Sequence, residues 1–308
     1  MPPDTPTLTL RQRMEYAAVW SLIRLLGWPP RVVARRLGAG VGAIAYRVLP
    51  RLRRIGLRNL QLAFPEKSLQ TRQQILRSLY RTLGWQLAEF CRMSRLTLEE
   101  ASSYIRYEGL EHYLDAQRRG RGVLVLTGHL GAWELSSFFH SLAGYPMRMV
   151  IRRLDNPAVD ALVNHIRCLH GNQVLHKDDF ARGLLSAMHA GETVGILMDT
   201  NMTPPQGVFV DFFGHAACTA SGLARVAQRT GSAVVPGYLL WHAEEKKYVL
   251  HFQPALTLVH TGDAEADART NTQICTRALE EVIRQHPEQW LWVHRRWKTR
   301  PPGEPALY

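Results

Sequence analysis

At 308 residues, with 46% apolar and 21% charged side chains, the chain can bury a sizeable core, and its composition excludes a disordered protein. The net charge is +12, and it is concentrated: residues 16–65 hold nine arginines and no Asp or Glu. No nucleic-acid motif accompanies these arginines and apolar residues separate them, so the patch points to anionic lipid rather than to nucleic acid. Cys91, Cys168, Cys218 and Cys275 lie far apart, with no C-x-x-C and no His/Cys zinc spacing. Reduced thiols in a cytosolic setting, and no metal, are therefore expected.

The first 15 residues are polar and Pro-rich, with no cleavable signal peptide in view. Tyr16 to Trp28 is nearly all apolar but spans 13 residues, where a transmembrane helix needs about 20, and Pro29-Pro30 stop it. A second apolar piece, Leu37 to Leu49, contains Gly38, Gly40, Gly42 and Arg47. The expectation is two short helices lying in a membrane interface, with Trp20 and Trp28 at headgroup depth and arginines reaching phosphates. A helical hairpin packed on the protein is the plainer alternative, and a single spanning helix a third. After the basic run at 51–58, residues 68–92 read as a helix with a core stripe at Ile75, Leu79, Leu83, Leu87 and Phe90. We divide the chain into an N-terminal membrane-associated segment, 1–65, and a catalytic domain, 66–308.

From Tyr104 short apolar runs alternate with helical ones. Strands are expected at 122–127, 147–151, 173–175, 193–199, 233–240 and 248–252. Helices are expected at 109–119, 132–143, 157–170, 178–190, 219–230 and 265–286. Such alternation predicts an α/β fold, a largely parallel central sheet with helices on both faces. Ligands then bind beyond the carboxyl ends of strands, where His129, Arg152 and Asp199 fall.

The most informative stretch is GVLVLTGHLGAWELSSF, residues 122–138. A buried-strand run ends at Gly128, His129 follows, and Glu134 stands at the start of a helix. His129 and Glu134 meet only if the histidine precedes the helix and the carboxylate faces back from its first turn. A neutral imidazole held by a carboxylate is a general base. No serine elbow accompanies it, so direct attack by a substrate hydroxyl on an acyl carbon is the simplest chemistry. Equally, Glu134 could merely complement the helix dipole and His129 could be a core histidine.

TGHLGAWE resembles the H-x4-D/E block of the bacterial lipid A biosynthesis acyltransferases, which include lauroyl and myristoyl transferases. Actinobacterial phosphatidylinositol mannoside acyltransferases share the block, and glycerolipid acyltransferases carry a more distant version. Tyr107 to Glu111, Asn59 to Pro65, Arg152-x-x-Asp155-Asn156-Pro157, Val208 to Thr219, Gly231 to Pro236 and Gln289 to Lys298 resemble further blocks of the family. The resemblance covers roughly residues 15–300. Where the family shows Asp-Gln, this chain has Asp199-Thr200.

The resemblance implies acyl transfer from a thioester, of acyl carrier protein or coenzyme A, to a hydroxyl of a phosphorylated glycolipid at the cytoplasmic face of the inner membrane. His129 would be the base and Glu134 its orienter, with no further cofactor and no acyl-enzyme. Backbone N–H groups near Gly131 would meet the oxyanion. Arg152 would clamp an acceptor phosphate, with Asn156, Asp199 and Thr219 also at the substrate. Asn156 and Thr219 each have a structural reading as helix caps. The phenylalanines of 208–213 line an acyl channel or are plain core. The tryptophans of 290–297 form an interfacial anchor or a packed strap, and His294 is a weaker second base. Other acceptors are a mannosylated phosphoinositide or a lysophospholipid; a non-catalytic lipid-binding protein on the same fold is the rival class.

Overall fold

A computed structural model describes residues 8–176 and 180–308. Its centre is a seven-stranded sheet of β1 (Ile105–Glu108), β2 (Val123–Thr127), β3 (Arg148–Ile151), β4 (Gln173–His176), β5 (Thr193–Leu197), β8 (Ala233–His242) and β9 (Lys247–Phe252). The order is β1-β9-β8-β2-β5-β3-β4, and only the β8–β9 pair is antiparallel. A separate hairpin pairs β6 (Gly207–Phe212) with β7 (His215–Ala220). The expected strands and helix order hold, with β1 and this hairpin as additions.

Strand β2 is central, with β8 on one edge and β5 on the other, and helices cover both faces of the sheet there, so it is buried on both sides. Its side chains alternate between two cores. Leu124 and Leu126 join one core, with α9 (Phe180–His189), α10 (Gly222–Thr230) and α11 (Ala264–Gln285). Val123 and Val125 join the other, with α6 (Leu110–Arg118), α7 (Trp133–Leu142) and α8 (Pro157–Arg167). The start expected for the 178–190 helix lies partly outside the described residues.

The two N-terminal helices are longer than their apolar runs. Thr9 and Gln12 form a capping box that starts α1 (Leu10–Gly27) well before Tyr16. Helix α2 (Arg31–Val48) includes the arginines before Leu37. It packs on α4 (Leu69–Arg92) through Ala34, Gly38 and Gly42, all buried. A Cβ on Gly84 of α4 would stand 2.0 Å from the Gly38 carbonyl oxygen, so only glycines allow this approach. Helix α3 (Pro50–Ala63), which packs on α4, is tied to the C-terminal region: Asn59 Nδ2 donates to the carbonyls of Trp292 and His294, at 2.5 and 2.6 Å. Among the described residues no helix is long and apolar enough to cross a membrane.

Candidate active site

The site forms where β2 and β5 end side by side, Thr127 beside Leu197 in register. One strand releases Gly128-His129 and the other Met198-Asp199. Asp199 Oδ1 lies 2.9 Å from His129 Nδ1, and Oδ2 accepts from the His129 backbone N–H at 2.7 Å. Trp290 Nε1 donates to the same Oδ2 at 2.7 Å. A Cβ on residue 128 would press against the carboxylate at 3.0 Å, which is why glycine stands there. Asp199 is buried. Burial would raise its pKa, but the adjacent His129 and these hydrogen bonds outweigh that and hold it at about 2. An ionised carboxylate on Nδ1 makes that nitrogen the N–H donor and puts the imidazole's lone pair on Nε2. The ring stands edge-on to Trp133, centroids 5.2 Å apart.

The carboxylate on His129 Nδ1 is thus Asp199, which the strand-end position and the resemblance place at the substrate, and not Glu134. Glu134 opens α7 but turns to Arg167 of α8, whose Nε and Nη2 lie 2.8 and 2.5 Å from its two oxygens. This pair borders a narrow apolar cavity of about 60 Å³ lined by Thr127, Ser137, Met149, Gly195 and Leu197. On the opposite face of β5 lies a larger groove, about 660 Å³, lined by Ile196, Met198, Thr200, Met202 and Leu223 with Arg225 at its edge. Two hollows therefore approach the strand end that carries Asp199, one from each side of the sheet.

The other expected site residues are dispersed. Arg152 follows β3 with its side chain 73% exposed, beside Asp155 at 3.3 Å. Asn156 is the cap of α8, accepting from the N–H groups of Ala158 and Val159, and also donates to Gln12 and Glu15 of α1. Thr219 is no helix cap. It lies inside β7, fully buried, bonded to Arg296, and Ser221 precedes α10 instead. The amides expected at the oxyanion are already bonded: Gly131 N–H donates to the Gln289 carbonyl and Ala132 N–H to that of Leu239. His294 Nε2 accepts from the Asn201 backbone at 2.9 Å, and burial lowers its pKa, so it is a neutral structural group.

The C-terminal tryptophans are core and not an interfacial anchor. Trp290, Trp292 and Trp297 are essentially inaccessible, and Phe212 and Phe213 pack with them. The segment is no extended strand. It touches the site loop through a single bridge, Leu130 to Trp290, and through Leu291 N–H on the His129 carbonyl. Trp290, Arg167 and Arg296 are the residues that spacing alone misses. Arg296 is buried and bonded to the Thr200 and Cys218 carbonyls, immediately after Asp199.

The site is thus a histidine held by a buried carboxylate at the carboxyl end of a central parallel sheet, an arrangement that can serve as a general base. The bacterial lipid A biosynthesis acyltransferase family matches residues 5–299, and the chain belongs to that family. It is 31% identical to the lipid A biosynthesis lauroyltransferase of Escherichia coli K12, over 94% of this chain and 92% of the relative. It is 28% identical to the palmitoleoyltransferase of the same organism over the same shares. The identity to the myristoyltransferase is 25%, over 88% of this chain and 82% of the relative.

Proposed function

We propose that the protein moves a fatty acyl chain from a thioester to a hydroxyl of a lipid A precursor. The observation that carries this reading is the His129–Asp199 pair, with Nδ1 committed to the carboxylate. As attack begins, Nε2 takes the acceptor hydroxyl's proton, and the buried carboxylate stabilises the imidazolium that results. The oxygen attacks the thioester carbonyl directly and the thiolate leaves, taking a proton back. Donors for the oxyanion are the Trp133 and Glu134 amides, which open α7 without a side-chain cap.

The larger hollow has the volume for a fatty acyl chain, whereas the small one has room for about two waters. Arg152 is exposed beyond the carboxyl end of β3, and its planar fork suits a bidentate contact with an acceptor phosphate. The donor is carried by acyl carrier protein or coenzyme A, and the basic surface suits either. Leu10, Met14 and Leu25 of α1, Trp28 just after it, and Leu37 and Ile44 of α2 are exposed, interspersed with arginines. This supports seating of these helices in the cytoplasmic leaflet of the inner membrane without crossing it.

Thioester turnover with a lipid A precursor, a mannosylated phosphoinositide and a lysophospholipid, products identified by mass spectrometry, tests the reading. Transfer to the lipid A precursor alone is expected. Preference for either other acceptor, or no turnover with any, refutes it. For the seating, salt should release the protein from vesicles only partly and detergent fully, because burial of apolar surface is not screened.

A further inference from the structure

We propose that the cleft between α2 and α4 is a binding site for the phosphate of an acidic phospholipid, separate from the acyl-transfer site. Two adjoining hollows of about 350 and 550 Å³ run along this cleft and share Ala39 and Arg81. Their shape follows from the helix packing. Gly38 and Gly84 bring the backbones into contact, and Ala39 and Ala43 keep the α2 wall low. The rim is basic: Arg36 and Arg47 from α2, Arg77 and Arg81 from α4, all exposed.

The charge is not internally compensated. The carboxylate on this cleft, Glu89, is buried and already taken by Arg31 at 2.7 Å, with Arg35 at 3.9 Å. Arg35 is further fixed between the rings of Trp85 and Trp241, 4.2 and 3.9 Å from their centroids. Among the described residues, Arg36, Arg47, Arg77 and Arg81 pair with no carboxylate. Four guanidinium groups with no carboxylate partner stand around a floor of alanines; Arg47 also donates Nη1 to the Ala43 carbonyl, and the rest present the forked donors that a phosphodiester accepts.

The same helix says what carries the phosphate. Val33, Leu37, Val41, Ile44 and Val48 are 42–63% exposed and recur at helical spacing along a neighbouring face of α2. A phospholipid with its headgroup in the cleft can lay its tails along this ridge. An acidic protein would neutralise the arginines and leave the ridge bare. The identity of the phosphate's carrier thus rests on the proposed seating at the membrane, whereas the anion site does not.

The experiment uses the full chain and vesicles of phosphatidylcholine, alone or mixed with phosphatidylglycerol. The triple variant Arg36→Gln/Arg77→Gln/Arg81→Gln should lose on the order of 10²-fold in affinity for the acidic vesicles and little for the neutral ones. Arg119→Gln/Arg269→Gln/Arg277→Gln removes equal charge from exposed positions elsewhere and should lose far less. Short-chain phosphatidylglycerol below its micelle threshold should change Trp85 fluorescence, measured against Trp85→Phe, where inorganic phosphate at equal concentration does not. Equal losses in the two triple variants would overturn the site in favour of a diffuse field. An equal response to inorganic phosphate would overturn the lipid source. Competition by acyl carrier protein that needs these arginines, with no lipid effect, would reassign the cleft to that protein. Leu37→Asn/Val41→Asn should weaken binding to neutral vesicles; unchanged binding there would remove the seating while leaving the phosphate site standing.

Discussion

Asp199→Asn isolates the part of the site that the chemistry needs. Three N–H groups converge on this carboxylate, and two of them, the His129 amide and Trp290 Nε1, have no alternative protonation state. An amide nitrogen turned toward those two would orphan both, at roughly 1–3 kcal/mol each. The asparagine oxygen therefore takes the Oδ2 position, and its NH₂ faces His129 Nδ1. The imidazole answers by moving its own proton to Nε2, the nitrogen that must act as base. Fold and acceptor binding should survive. Turnover should fall by about 10²–10⁴-fold, or roughly 3–5 kcal/mol in the barrier. Steady-state release of thiol from the acyl thioester measures the rate, and nitrogen chemical shifts of the imidazole report the tautomer. A protein that melts like the parent and keeps more than about a tenth of its rate would refute this assignment of base and orienter.

Glu134→Gln should leave the Arg167 charge without its carboxylate at the edge of the small cavity and lower unfolding stability by about 1–3 kcal/mol in denaturant titration. Its rate loss should be smaller than that of Asp199→Asn; an equal loss would give the two carboxylates a joint role. His140 is buried among Tyr113, Tyr145 and Phe252, its Nδ1 hydrogen-bonded to the Tyr107 hydroxyl, and burial holds it neutral with a pKa of about 3. The unfolded chain takes up its proton below about 6.5, so this contribution is complete above that pH and is lost as pH falls toward 3. Urea titrations between pH 7 and 4 should show that loss, and His140→Asn should flatten it; an unchanged slope would place the acid sensitivity elsewhere. Gly84→Ala should force α2 and α4 apart and cost about 1–3 kcal/mol, read as a lowered midpoint in the same titration.

The sheet was legible because its central strands are short, continuous apolar runs ending at glycine or aspartate. His129 and Asp199 could each be placed at a strand end. Their pairing could not, because it depends on β5 lying next to β2 across the sheet, and strand order is not written in local spacing. Reasoning along the chain therefore reached for the nearest carboxylate, Glu134, whose partner Arg167 comes from the next helix. The β6–β7 hairpin escaped because its residues 208–219 were read as a motif and not as two strands turning at Phe213-Gly214. The spacing of the tryptophans leaves an interfacial anchor and a packed strap equally open, and the burial of all three rings decides for the strap.

The strap at 287–297 ties catalytic competence to the completed fold. Trp290 holds a carboxylate 91 positions earlier in the chain, and Gln289 accepts from an amide of the loop after β2. Strands β2 and β8, and β1 and β9, are joined across comparable stretches of chain, and the strap's tryptophans share their core with the sheet. Strap and sheet should therefore close together, and until they do Asp199 lacks one of its three donors and the His129 loop lacks its backing. Activity should return during refolding with the last of the circular dichroism signal, and on warming the two should be lost in one transition; activity that outlives the sheet would refute the coupling.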